Sequence, residues 1–237
     1  MVGGRGLALP GERERAGRWG KGLARALRFL GRNPTMAWGL LVVLAMGVVA
    51  SMAPLLSPYD PLALDAYARF VPPSADRWFG TDNLGRDIYT RTLYGARLSL
   101  LVGASVAVLT AVAGVLLGLV SGYYKMMDMV VMRFMDGLMA FPALLLAIAL
   151  MAVLGASVQN VIIALVVVDV PRTVRVVRAS VLTLRERDFV EAARAIGVPA
   201  PRLLLLHILP NTIAPLIVQT TFIFASAVLV EAALSFL

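Results

Sequence analysis

Residues 137–168 read GLMAFPALLLAIALMAVLGASVQNVIIALVVV, thirty-two positions without a charge. A helix crossing a bilayer needs about 20 apolar residues at about 1.5 Å each, so this run is too long for one span and too short for two. A hairpin resolves the mismatch. Gly155-Ala156-Ser157 and Gln159-Asn160 supply turn residues in its middle. Each arm then reaches back to a polar end, Arg133 and Asp136 on one and Asp169, Arg172 and Arg175 on the other. Both polar ends therefore lie on one side of the membrane.

Three further runs flank this hairpin. Met36–Leu56 and Leu98–Tyr124 are charge-free. Leu203–Val230 is interrupted by His207, Pro210-Asn211 and Pro215, which places its span from Thr212 to about Glu231. The whole chain of 237 residues is 59% hydrophobic and 15% charged, with a mean hydropathy of +0.83. Soluble domains average about 45–50% apolar and about 25% charged residues, so a multi-span membrane protein is expected. The net charge of +8 does not indicate nucleic acid, because the basic residues sit in blocks beside apolar runs. The absence of cysteine excludes disulfides and thiolate-bound metals, and one histidine cannot build a His-rich site. The first apolar run, at twenty-one residues, exceeds the roughly 7–15 of a signal peptide and reads as an uncleaved span. In the second run Gly114, Gly118 and Gly122 recur every four residues, a smooth stripe for close helix packing or for sliding.

Charge bias orients the spans. Residues 1–35 hold eight basic and two acidic side chains, 57–95 four and five, and 172–202 seven and three. Five spans with a cytoplasmic N-terminus put both basic segments inside and 57–95 outside.

On the inner side lies EAARAIGVPAPRLLLLHILPNT, residues 191–212. Asp188 is suited to cap a helix with Glu191 in its first turn. Phe189, Ala192, Ala193 and Ile196 fall on one apolar face. Gly197 is placed to stop the helix, and Pro199 and Pro201 prevent its continuation. Such an element either docks a partner and passes force to the flanking spans, or merely links them.

This stretch resembles the EAA loop of inner-membrane permease subunits of binding-protein-dependent ABC transporters. Glu191-Ala192-Ala193, Gly197 and Leu209-Pro210 stand at the loop's spacing, while His207 occupies the usual Ile position with Ile208 beside it. The His-Ile-Leu-Pro-Asn form is similar to the C-type subunit of the oligopeptide/dipeptide/nickel subfamily. Arg32-Asn33-Pro34, Ser57-Pro58-Tyr59-Asp60-Pro61, the run from Phe79 to Asp87, Tyr94 to Leu100, Ala140-Phe141-Pro142 and Leu184 to Val190 continue the resemblance. It covers roughly residues 30–237, and departs from the family at Val170-Pro171, where an aromatic often precedes the proline.

The resemblance implies an all-α multi-pass membrane protein with the type I ABC importer permease fold, five spans visible of an expected six. The apolar ending Leu234-Ser235-Phe236-Leu237 leads to the expectation of a truncated chain. The layout becomes a basic cytoplasmic tail 1–35, a first span 36–56, an extracytoplasmic segment 57–95, and a permease core 96–237 with the EAA loop at 181–210. The implied partners are a second homologous permease subunit, two cytoplasmic ATPase subunits, an extracytoplasmic solute-binding protein and membrane lipid, with no nucleic acid. No cofactor is expected in this chain; ATP and Mg belong to the ATPase subunits, and no residue here does chemistry. Asp188, Glu191, Ala192, Ala193 and Gly197 are then the ATPase-coupling residues, and His207, Leu209 and Pro210 turn the chain back into the bilayer. The cargo implied is peptide, or nickel or another solute of the subfamily. A stand-alone ion-coupled transporter would need paired midplane charges and inverted repeats, of which only Asp169 is a candidate. A membrane scaffold that recruits a cytoplasmic partner without transport is a third reading.

Some residues carry two readings. Asp169 either pairs with Arg172 or Arg133 near the inner end of its span or faces the translocation path. Glu231 either sits at the outer interface or lines that path. His207 is expected as a satisfied hydrogen-bonding residue rather than a pH sensor, and Pro142 and Pro215 as packing kinks rather than hinges. Asp82, Asn83 and Asp87 do not match the EF-hand calcium spacing; Gly80 and Gly85 point to compact turns there, an outer cap or binding-protein contact.

Overall fold

The computed structural model describes residues 31–236. They are helical, and among them the only pairing of extended backbone is one antiparallel bridge, Thr81–Asp87. The chain divides into two compact units at Tyr94/Gly95. The expected basic tail lies mostly outside the described residues.

In the first unit, α1 (Pro34–Ser51) is apolar on every side, and nearly all of it is exposed. In water that surface would not stay uncovered; it is what a lipid-facing span presents. A short α2 (Ala53–Leu56) follows. Residues 57–87 then form a set of turns. Gly80 and Gly85 both hold positive φ, +70° and +75°, and a Cβ at either would strike the backbone of Val71 or Asp65. The Thr81 hydroxyl donates to the Ala68 carbonyl (2.5 Å) and accepts from the Val71 amide (2.8 Å). Asp82 accepts from the amides of Leu84 (2.8 Å) and Arg86 (3.0 Å) and from the guanidinium groups of Arg86 and Arg91. Partial desolvation opposes its ionisation, but these donors outweigh that cost and hold its carboxyl below the usual carboxylate range.

α3 (Ile88–Tyr123) starts in the first unit and runs through the second. At about 1.5 Å per residue its 36 residues span about 54 Å, more than the hydrocarbon core alone. The second unit continues with α4 (Lys125–Met139), α5 (Ala143–Leu154), α6 (Val158–Leu184), α7 (Asp188–Ala195) and α8 (Ala200–Phe236). The hairpin turn stands between α5 and α6. Gly155 ends α5 at φ +86°. Ser157 accepts from the Asn160 amide (3.2 Å), while the Asn160 side chain donates to the carbonyls of Leu154 (2.8 Å) and Gly155 (3.0 Å). One asparagine thus joins both helix ends.

The first hairpin arm differs from expectation. It does not run unbroken to Arg133 and Asp136, because α4 and α5 meet at 90° across Ala140–Pro142. Pro142 has no amide hydrogen and keeps the residue before it from continuing a helix. It therefore marks a break rather than a kink, and α5 is only 12 residues long. The two polar ends nevertheless meet. Arg175 pairs with Asp136 (2.7 Å), and Arg178 grips Asp128 through two nitrogens (2.5 and 2.6 Å).

By length and composition α1, α3 and α8 could each cross a membrane, and the bent pair α4–α5 could make a fourth crossing. α6 is long enough at 27 residues but carries Asp169, Arg172, Arg175 and Arg178. The five-span count is therefore not fixed by these helices alone.

The glycine stripe is a packing surface. Gly114 faces Thr173, Gly118 faces Val177 and Gly122 faces Val181, so α3 and α6 lie parallel with their backbones close. A Cβ at Gly118 or Gly122 would come within 2.6 Å of the opposing valine Cβ. β-branched side chains are stiff at χ1, so each valine is a rigid knob against a bare backbone.

Candidate functional site

α7 is the short charged helix of the EAA-like stretch. Its N-cap is Arg187, in extended geometry (φ −87°, ψ 143°). Asp188 is therefore the first helical residue and not the cap; with Glu191 it places two carboxylates in the first turn, at the positive end of the helix dipole. Gly197 ends the helix at φ +83°. Its amide donates to the Arg194 carbonyl (3.0 Å) and the Val198 amide to the Ala193 carbonyl (3.1 Å), the paired bonds of a Schellman stop.

The expected apolar face is split by the tertiary packing. Val190 and Ala193 are buried with Leu119 of α3, Val177 and Val181 of α6, and Leu203, Leu204 and Ile208 of α8. Phe189 (44% exposed), Ala192 and Ile196 (82% exposed) face outward. Eight residues make just over two turns, so one helix can carry an anchoring edge and a separate exposed apolar edge. The anchoring edge holds three long helices at once. Arg194 adds to it by stacking on Tyr123 at the end of α3 (5.9 Å), and Arg185 donates to the Gly122 carbonyl (3.2 Å). The sequence reading missed Val190, Tyr123 and Arg194; the spacing Val190–Ala193 was the available signal for the first.

His207, Leu209 and Pro210 do not turn the chain. α8 runs through them without a break, by way of a π turn at Leu204–Ile208 in which the Leu209 amide reaches the Leu204 carbonyl. The wider turn absorbs the proline, and the Asn211 side chain donates to the His207 carbonyl one turn back (2.7 Å). Nδ1 of His207 is buried and meets no partner, so the expected satisfied histidine is not found.

The two candidate path residues lie apart from α7. Asp169 is buried in α6, and among the described residues no ion pair joins it to Arg172 or Arg133. Extending the glycine ladder by one turn places Thr110 opposite it. The hydroxyls of Thr110 and Thr173 are also buried without partners. Glu231 is 6% exposed rather than at an open interface. Its two oxygens accept from Ser99 of α3 and Ser235, each at 2.8 Å. Sequence reading missed Ser99, 132 positions away.

Residues 114–237 match the family model described as binding-protein-dependent transport system inner membrane component. The chain belongs to this family of inner-membrane transport components. A curated protein of Brucella abortus biovar 1 (strain 9-941) is 49% identical over 210 residues, covering 89% of this chain and 71% of that protein. The dipeptide transport system permease protein DppC of Alkalihalophilus pseudofirmus is 45% identical over 213 residues (90% and 70%). The di/tripeptide transport system permease protein DppC of Pseudomonas aeruginosa (strain UCBPP-PA14) is 44% identical over 206 residues (84% and 68%). This permease is thus a helical, multi-pass cell-membrane subunit of an ABC importer, and its system includes an ATPase and a solute-binding protein.

Proposed function

We propose that this permease subunit passes peptides across the cell membrane and takes its drive through α7. Peptide as cargo is supported by the names of the two DppC relatives. In this reading the chain pairs with a second, homologous permease subunit, two cytoplasmic ATPase subunits hold ATP and Mg²⁺, and catalysis resides entirely on them. The basic bias of 1–35 and 172–202 supports a cytoplasmic N-terminus and α7, with 57–95 outside.

The carrying observation is the two-edged α7. Val190 and Ala193 lock it to three long helices, while Phe189, Ala192 and Ile196 stand free beside Asp188 and Glu191. A partner groove that covers the free edge can move α3, α6 and α8 together, because the anchoring edge has no slack between them. Asp169, Thr110 and Thr173 then form a polar patch at the α3–α6 seam that would change surroundings if those helices shifted.

The test is co-purification of the ATPase subunits with Ile196→Asp and Phe189→Asp in the assembled complex. Both side chains are exposed, so the free permease should keep its stability, whereas docking an aspartate onto an apolar groove should cut ATPase recovery and uptake at least tenfold. Wild-type recovery and uptake in both variants would remove α7 as the coupling element.

A further inference from the structure

Residues 56–89 of the first unit line an open cavity of about 280 Å³ that plays no part in the coupling just described. Its walls include Tyr59, Trp78 and Tyr89, and its polar groups include Asp76 and Asp87. Trp78 and Tyr89 pack ring to ring at 5.0 Å, which fixes one wall.

Asp87 is the unusual member. It is 6% exposed, and it is held on one side only. Its Oδ2 accepts from the Thr90 amide (2.7 Å) and the Thr90 hydroxyl (2.6 Å). Since Thr90 donates its single hydroxyl proton there, the Ser57 hydroxyl, 2.6 Å away, donates to Thr90. Oδ1 is buried with no partner at all. A buried carboxylate oxygen without a donor carries its full desolvation penalty, so a structure that orders one oxygen this carefully and leaves the other bare calls for a donor from outside.

The local cations do not supply it. Arg77 stacks on Tyr59 (5.5 Å) but donates to the Gly85 carbonyl (3.1 Å) and pairs with Asp65 (3.5 Å). Arg86 and Arg91 are both on Asp82. No ion pair reaches Asp76 or Asp87 among the described residues.

We propose that this cavity binds a primary alkylammonium group, its charge on the Asp87 carboxylate with Asp76 near, its hydrocarbon stem against Trp78, Tyr59 and Tyr89. Aromatic faces and carboxylates together select organic cations over neutral or anionic groups. At about 280 Å³ the cavity is below the usual range of small-molecule sites, which suits one side chain or one amino end rather than a whole peptide. The two sources of that chemistry are a lysine side chain of a docking protein and the free amino terminus of a peptide. The inference stands apart from the α7 reading, since amine binding does not require an ATPase.

The test uses the full chain in nanodiscs with Trp19→Phe and Trp38→Phe, so that Trp78 is the sole tryptophan. n-Butylammonium should change its emission saturably, and n-butanol should not. Asp87→Asn should weaken binding at least tenfold: its carbonyl keeps the Thr90 bonds, and its NH₂ then meets the ammonium as a second donor. Should that variant not fold, Asp76→Asn, at an exposed position, should weaken binding about threefold. Nα-acetyl-lysine methylamide and alanyl-alanine methylamide separate the sources; saturation by the first supports a lysine, by the second an amino terminus, and by both a site open to either. An equal response to n-butanol, no saturation by any amine, or unchanged affinity in the folded Asp variants would overturn the proposal.

Discussion

Replacing Gly118 by alanine isolates the α3–α6 contact. The new Cβ would lie 2.6 Å from the Val177 Cβ, 2.8 Å from its Cγ1 and 3.1 Å from the Val174 carbonyl oxygen. Carbon atoms rest at about 3.5–4.0 Å, so the helices must separate by about 1 Å. Neither Cβ can rotate away, and the valine has one favoured χ1. Gly95 lies on the same helix with nothing within 4 Å of its virtual Cβ. Both substitutions gain the same helix propensity, about 1 kcal/mol, so their difference reports the clash alone. Overpacking of this kind costs about 1–3 kcal/mol. At about 2–4 °C per kcal/mol for a chain of this size, Gly118→Ala should melt about 2–12 °C below Gly95→Ala in a detergent thermal-shift assay. Val177→Gly in the same chain removes the opposing Cβ and should close most of that gap relative to Val177→Gly alone. Gly118→Ala and Gly95→Ala melting within 1 °C of each other would refute the close-approach argument.

Gly197→Ala places a Cβ at φ +83°, where steric strain costs about 1–2 kcal/mol although space around it is open. It should lower stability modestly and make the 197–200 backbone more susceptible to limited proteolysis, and unchanged cleavage would count against the Schellman stop. Asp82 gives a pH effect of defined sign. Its folded carboxyl is held below the ordinary value by Arg86, Arg91 and two amides against the cost of desolvation, so its contribution is complete above about pH 3.9 and is lost as pH falls below that. Proteolysis of residues 57–87 should therefore rise with acidity below about pH 4 in the wild type, and that rise should flatten in Asp82→Asn.

Local chemistry explains which features could be read in advance. A thirty-two-residue apolar run with Gly155 and Asn160 at its centre has few ways to meet a bilayer, and it turned where those residues stand. Four-residue glycine spacing defines a bare helix stripe whatever lies across from it, and Gly197 stops a helix through its own backbone. Within Lys125–Met139 the sequence placed only Arg133 and Asp136, as the polar end of a hairpin arm; a separate helix there depends on Arg178 and Arg175, which meet Asp128 and Asp136 from α6.

Pro142 and Pro210 mark the boundary between the two kinds of information. Each removes one amide donor, and nothing local says whether the chain breaks or bends through. At Pro142 the chain turns by 90°; at Pro210 a π turn carries the helix on. The amino-acid order alone set the membrane character, the hairpin, the glycine stripe and the place of the short charged helix, because each follows from neighbours a few residues apart. Only the packed structure decided which edge of that helix is anchored, which carboxylates are satisfied and which helices pass through their prolines, because those outcomes depend on side chains that meet from distant parts of the chain.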